Sequence, residues 1–108
     1  MVFARMSTWT FKSGKREEGF LMLDNVLNSS TRHANGFRGY MSLLAEDPDH
    51  AVILTLWQDE ESLSASEKGV FAEAKQKVTD FLKNPPVTRK FRVYSTELFQ
   101  CLENKDVI

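Results

Sequence analysis

Apolar residues alternate along the first eleven positions, which predicts a β-strand over residues 2–11. One face of this strand carries Phe3, Arg5, Ser7, Trp9 and Phe11. The opposite face begins with Val2, Ala4 and Met6. Because both faces begin apolar, we expect the strand to be covered on both sides.

Two regions change to a helical period. The first runs from Lys15 to about Ala34, with Ser13 as a candidate N-cap and the Asn35-Gly36 pair as its stop signal. The second begins with acidic residues after Asp59, is interrupted at Gly69 and is expected to continue to Asn84-Pro85-Pro86. The chain therefore contains two helical regions, each between strands.

Three further strands complete the pattern. Residues 37–46 and 50–58 flank a short turn at Pro48, so they are expected to form an antiparallel hairpin. Alternation over residues 87–99 predicts the last strand. The order β-α-β-β-α-β is typical of a ferredoxin-like α+β fold, with a four-stranded antiparallel sheet and both helices on one face.

The strand over residues 50–58 is apolar on both faces, which a solitary ferredoxin-like domain does not need. Helices cover one face, and a second copy of the same sheet is the simplest cover for the other. We therefore expect a homodimer. Residues 1–100 are expected to form one domain and residues 101–108 a C-terminal tail.

Composition narrows the function classes. The 108 residues carry a formal net charge of −1, which gives no basic field for nucleic acid or a membrane surface. The single Cys101 cannot form an internal disulfide, and the N-terminus does not resemble a signal peptide, so a cytoplasmic location is expected. Twelve aromatic residues (eight Phe, two Trp, two Tyr) are a surplus that needs either a second surface or a pocket.

No metal, haem or phosphate-binding motif is present in the sequence. A pocket between sheet and helices remains the best candidate site for a small apolar or aromatic ligand. Its candidate aromatic lining residues are Phe3, Trp9, Phe20, Trp57 and Phe71. Core packing is the more ordinary role for each of these aromatics. Arg5 is less ordinary, because a buried guanidinium must be paired. It could bind an anionic ligand group, pair with a carboxylate or emerge at an edge.

Several segments together resemble the antibiotic biosynthesis monooxygenase family of dimeric α/β barrels. They are Gly36-Phe37-Arg38-Gly39-Tyr40, the hairpin, the strand ending in Leu56-Trp57, and Asp59-Glu60-Glu61-Ser62-Leu63. The resemblance implies two sheets packed face to face in a dimer. The family includes cofactor-independent oxygenases acting on polycyclic phenols and quinols, haem-degrading enzymes, and many members of unknown activity.

The family's functional residues carry over sparsely. Haem-degrading members use an Asn, a Trp and a His at positions that here hold Ser7, Ser66 and Lys75, so no haem ligand is expected. Among the positions used by phenol-oxidising members, only the Trp is matched, by Trp57. The other three fall on Ile53, Leu63 and Lys77.

The resemblance and the residues together predict a cofactor-independent monooxygenase, acting on a phenol or quinol without a metal. Trp57 and Arg5 are the candidate catalytic residues. The candidate substrate-binding residues are Ser7, Trp9, Phe20, Phe71 and Lys75. The alternative is a non-catalytic module of the same fold that binds a small molecule or mediates dimeric interactions.

Overall fold

A computed structural model of the chain describes residues 1–97 and contains one four-stranded antiparallel sheet. The strands are β1 (Phe3–Phe11), β2 (Phe37–Leu44), β3 (His50–Trp57) and β4 (Leu82–Arg92). Their order across the sheet is β2-β3-β1-β4, which is the ferredoxin-like arrangement. The expected fold class is confirmed.

The register of the two central strands positions the candidate site. Arg5 of β1 lies opposite Thr55 of β3, and Ser7 lies opposite Ile53. Residues opposite one another in an antiparallel pair project to the same face of the sheet. Trp9 and Trp57 therefore share a face with Arg5, and this face is the one that the helices cover.

Three α-helices of the described residues 1–97 pack on that face. They are α1 (Arg16–Ser29), α2 (Glu60–Lys68) and α3 (Val70–Val78), with Gly69 separating the last two as the sequence predicts. Asp59 caps α2, because its carboxylate accepts the backbone N–H of Ser62 at 2.8 Å. The core lies where α1 and α3 meet the central strands, around residues such as Trp9, Leu23 and Ile53.

The first helix differs from its predicted limits. It ends at Ser29 rather than about Ala34, and a separate 3₁₀ turn spans Thr31–His33. The hydroxyl of Ser29 donates to the carbonyl of Asn25 at 2.7 Å, a side-chain bond that competes with regular helix propagation. The predicted cap was also wrong: the N-cap is Lys15, not Ser13.

The predicted limits of the last helix and of the last strand were wrong. The helix ends at Val78 and β4 begins at Leu82, so Pro85 and Pro86 lie inside a strand rather than at a helix end. An edge strand tolerates proline, and the β1–β4 register shifts between Thr8 and Thr10, opposite the two prolines. The strand also ends at Arg92, short of the predicted Phe99. The tail over residues 101–108 and Cys101 lie outside the described residues.

The sheet face away from the helices carries a cluster of apolar residues. It carries Ala4, Leu54 and Leu56 on the central strands, with Met41 and Phe91 on the flanking strands 38% and 39% exposed. We call this surface the open face. Within residues 1–97, no helix is long and apolar enough to cross a membrane.

Candidate functional site

A small cavity lies between the helix-covered face of the sheet and helices α1 and α3. Its volume is about 20 Å³, enough for one water molecule. The sheet contributes Arg5, Ser7, Trp9, Ile53, Thr55 and Trp57 to its walls. Leucines of α1 and the first residues of α3 close the other side. The sequence-predicted residues Arg5, Ser7, Trp9, Trp57 and Phe71 therefore converge on one site.

Within residues 1–97, Arg5 is the only charged residue that lines the cavity, and it is 3% exposed. Its Nη2 donates to the carbonyl oxygen of Leu63 at 2.9 Å and to the hydroxyl of Ser66 at 2.7 Å. Helix α2 supplies both acceptors, so this helix fixes the position of the guanidinium. Among residues 1–97, Nε and Nη1 have no hydrogen-bond partner.

The charge of Arg5 is only weakly compensated. Burial lowers its pKa below the ordinary value, and the nearby Glu67 acts in the opposite direction. Arginine nevertheless keeps its proton in proteins. The Glu67 carboxylate is 4.0 Å from Nη2 and about half exposed, so it is a distant partner at the rim. Of the alternatives left open by the sequence, pairing with a carboxylate is realised only loosely.

The two tryptophans present their rings to the cavity with their polar groups satisfied. Nε1 of Trp9 donates to the hydroxyl of Ser7 at 2.8 Å, and Nε1 of Trp57 donates to the hydroxyl of Thr55 at 3.0 Å. Both rings are essentially fully buried. Ser7 in turn donates to the carbonyl of Ile53 at 3.3 Å. The indoles therefore offer apolar surface, while hydroxyls hold them in fixed orientations.

Phe71 of α3 covers the cavity. Its ring centroid lies 4.5 Å from Cζ of Arg5 and 5.2 Å from Nζ of Lys75. It also meets Trp9 edge to face, with ring centroids 5.9 Å apart. Lys75 is exposed one turn along α3 and is not among the lining residues, and Phe20 packs on the core from α1 without lining the cavity.

Several lining residues escaped the sequence interpretation. Thr31 belongs to the 3₁₀ turn after α1, and Thr55 shares the face of Trp57 on β3. The parity of β3 could have identified Thr55. Nothing in the local pattern points to Ser66 as the hydroxyl that holds Arg5, because that contact joins residues 61 positions apart.

The cavity contains few groups that exchange protons. None of the residues that line it within the described part of the chain is an Asp, Glu, His, Cys or Lys. Also within residues 1–97, no cluster of three or more His, Cys, Asp or Glu side chains forms a potential metal site. The site consists of apolar rings, hydroxyls and one guanidinium. These groups match the chemistry of an aromatic anion, because apolar rings pack against an aromatic ring and a guanidinium stabilises a negative charge.

Solved structures share this fold at low sequence identity. Rv0793 from Mycobacterium tuberculosis matches with a TM-score of 0.73 and 15% identity, over 89% of this chain and 98% of its own. A protein of unknown function from Nitrosomonas europaea, NE2512, matches with a TM-score of 0.78 and 18% identity, over 90% and 93% of the two chains.

A second Nitrosomonas europaea protein, provisionally named an antibiotic biosynthesis monooxygenase, gives a TM-score of 0.73 and 17% identity over 89% and 94% of the two chains. No functionally curated protein gives a significant sequence match. The family model for antibiotic biosynthesis monooxygenases matches residues 2–77, well over half of the sequence. The chain therefore belongs to the antibiotic biosynthesis monooxygenase family.

Proposed function

We propose that this protein is a cofactor-independent monooxygenase that oxidises a small aromatic phenol or quinol in the cavity between sheet and helices. The observation that carries the proposal is Arg5. It is a buried cation at the wall of a largely apolar cavity, with Nε and Nη1 unpartnered among residues 1–97. Family membership supports the reaction class.

The reaction uses the substrate's own electrons. A deprotonated phenol transfers one electron to dioxygen, and the resulting substrate radical and superoxide combine through a new C–O bond. Protonation gives a hydroperoxide at a carbon that still carries a hydrogen. Loss of water then leaves one oxygen atom in the product as a carbonyl, and the other departs as water. The protein's tasks are to stabilise the substrate anion and to exclude solvent.

Arg5 is proposed to stabilise the anion, because a phenolate oxygen near its guanidinium gains a charge-assisted hydrogen bond. Trp57 and Trp9 are proposed to hold the aromatic ring through their apolar faces, with Ser7 fixing the Trp9 indole. Lys75 is proposed to contribute positive charge at the rim and Phe20 to support the core behind the site. No lining side chain within residues 1–97 is an evident general base, so acidic phenols are the favoured substrates.

The functional unit is proposed to be a homodimer in which two open faces pack together. The open face includes Met41, Leu43 and Phe91, which are between 38% and 47% exposed. A hollow of about 290 Å³ on this face is lined partly by Leu54 and Leu56. Exposed apolar side chains grouped on one face are costly in water and are typical of an interface. In the proposed dimer, the open face of the second protomer covers that of the first with the same apolar residues.

A second function has a specific observation in its favour. Within residues 1–97, no carboxylate, imidazole or thiol lines the cavity, which suits a module that binds an aromatic ligand without transforming it. Such a module would be stabilised by its ligand and would consume neither ligand nor oxygen.

Oxygen uptake separates the two functions. We expect wild-type protein to consume one dioxygen per substrate with at least one anthrone in a panel that also contains hydroquinones and flavonols. Oxidation of a hydroquinone to its quinone, with dioxygen reduced to peroxide, inserts no oxygen atom and does not by itself support the proposal. With an anthrone, one atom of ¹⁸O₂ should appear in the product. Arg5→Met and Trp57→Phe should each lower the rate. Thermal stabilisation by the same compounds without oxygen uptake would favour the binding module. If no compound causes oxygen uptake or thermal stabilisation, both functions are excluded.

A further inference from the structure

The cavity is far smaller than the ligand it is proposed to hold. Its volume is about 20 Å³, whereas an apolar cavity that admits benzene in an engineered protein measures about 150 Å³. The walls on the sheet side are buried strand residues held by hydrogen bonds, such as Trp9 to Ser7. Any enlargement must therefore come from the helical side, which α1 and α3 form together. Helix α3 contributes Val70, Phe71 and Ala74 to it.

The Phe71 ring already occupies the place where an aromatic ligand would lie. It is 4.5 Å from the guanidinium carbon of Arg5 and meets the Trp9 ring edge to face. These are the contacts that a bound aromatic ring would make with the same two residues. Unlike the fully buried tryptophans, Phe71 is only partly buried, so its ring can leave towards solvent at lower cost.

The helix that carries Phe71 is short and interrupted at both ends. Helix α3 has nine residues, and Gly69 separates it from α2 with backbone angles of −105° and −107° that are not helical. At the other end Thr79 starts a 3₁₀ turn. Among the described residues, one side-chain hydrogen bond joins α3 to the end of α1: the Ser30 hydroxyl donates to the Glu73 carboxylate at 3.1 Å. Few polar contacts therefore oppose a shift of α3.

We infer that Phe71 is a plug that determines which ligands enter: its ring fills the aromatic subsite over Arg5 and must leave before a ligand ring can take its place. The inference rests on the ligand site assigned under the proposed function, but it does not depend on oxygen chemistry. The displaced ring is replaced by an aromatic anion, which keeps the contact with Trp9 and adds a hydrogen bond to Arg5. The favoured ligand class is thus a planar aromatic carrying a phenolate or carboxylate.

Removing a plug should raise the affinity for the ligand, whereas removing an ordinary contact residue should lower it. If Phe71 clamped the ligand, removing its ring would weaken binding. If the ring competes with the ligand, Phe71→Ala removes the competitor and the affinity rises. A binding-competent state populated at 10% or less reduces the apparent affinity by at least about tenfold, so Phe71→Ala should lower the Kd for an aromatic anion by about that factor or more.

The test is calorimetric titration of the full chain with 2-naphthoate. We expect at least about tenfold tighter binding by Phe71→Ala, and an intermediate gain for Phe71→Leu, whose smaller side chain also serves if the alanine variant does not fold. Phe81→Ala is the matched control. Phe81 is a partly buried aromatic on the same core that does not line the cavity, so its removal should loosen the protein without raising affinity.

Tighter binding by the Phe71 variants alone would support the plug, whether or not the protein consumes oxygen. Equal or weaker binding by Phe71→Ala or Phe71→Leu would overturn it, as would equal gains in the Phe81 variant. No binding to any variant would also overturn it. Binding with the expected gain but no oxygen uptake would leave the plug standing and refute the oxygenase proposal.

Discussion

Replacing Arg5 by methionine should separate ligand recognition from stability. The substitution removes the guanidinium but keeps an unbranched apolar side chain of similar reach. It breaks the two hydrogen bonds from Nη2 to Leu63 and Ser66. The Leu63 carbonyl still accepts the Ser66 hydroxyl at 2.6 Å, so neither group is left wholly unpaired.

The expected stability loss is modest. The variant loses two hydrogen bonds from a charged donor, which destabilises it, but it no longer buries a charge, which stabilises it. The net loss in the free energy of unfolding is about 1–2 kcal/mol. For a domain of roughly 100 residues, that cost corresponds to a decrease in Tm of roughly 5–15 °C. Arg5→Met should therefore still fold at room temperature. Circular dichroism melts measure this directly.

The expected loss of anion binding is larger than that of neutral binding. A charge pair at about 4 Å in an effective dielectric of about 20 is worth about 4 kcal/mol, and desolvation of the anion offsets part of it. We therefore expect Arg5→Met to weaken 2-naphthoate binding by roughly ten- to a hundredfold. The Kd of Arg5→Met for the neutral isostere 2-naphthamide should lie within about twofold of the wild-type Kd.

The matched control is Arg92→Met. Arg92 is an exposed arginine at the end of β4, opposite Phe3 and therefore not on the open face, and it does not line the cavity. This variant should bind both naphthyl ligands as the wild type does. Equal losses for the anion and the amide in Arg5→Met would refute the role of Arg5 as an anion-binding group, and so would no loss for either.

Three further outcomes are expected. Leu54→Lys on the open face should convert a dimer into a monomer in analytical ultracentrifugation, whereas Leu21→Lys, at a position already 71% exposed on α1, should leave the mass unchanged. Gly36→Ala should lower the Tm far more than Gly14→Ala: both glycines have positive φ, but only a Cβ at Gly36 collides with α2. Asp59→Ala should lower the Tm at pH 7, and this difference should shrink in melts at pH 3. The capping bond to a backbone amide lowers the pKa of Asp59 below 3.8, so its stabilisation is present above that pH and is lost as the carboxylate protonates.

Much of the fold follows from local patterns. The alternation of β1 correctly places Arg5, Ser7 and Trp9 on one face, and Gly69 correctly marks the break between two helices. The position of β4 does not follow, because prolines signal the end of a helix unless a strand is known to lie at an edge with a bulge. Whether a strand lies at an edge depends on the whole sheet and not on its local sequence.

The candidate site was only partly predictable. Parity identifies which residues of β1 and β3 face the helices, and hence the convergence of Arg5 with Trp9 and Trp57. It cannot show that Ser66 and the Leu63 carbonyl hold the guanidinium, since the packing of α2 decides that contact. The size of the cavity depends on where the Phe71 ring lies, which periodicity does not determine.

The most direct measurement of the central claim is a crystal structure of the protein with 2-naphthoate bound. The account predicts the naphthyl ring between the sheet and α3, its carboxylate within hydrogen-bond distance of Nε or Nη1 of Arg5, and the Phe71 ring displaced from its place over the guanidinium. Ligand bound on the open face, with Phe71 still 4.5 Å from Arg5, would contradict it.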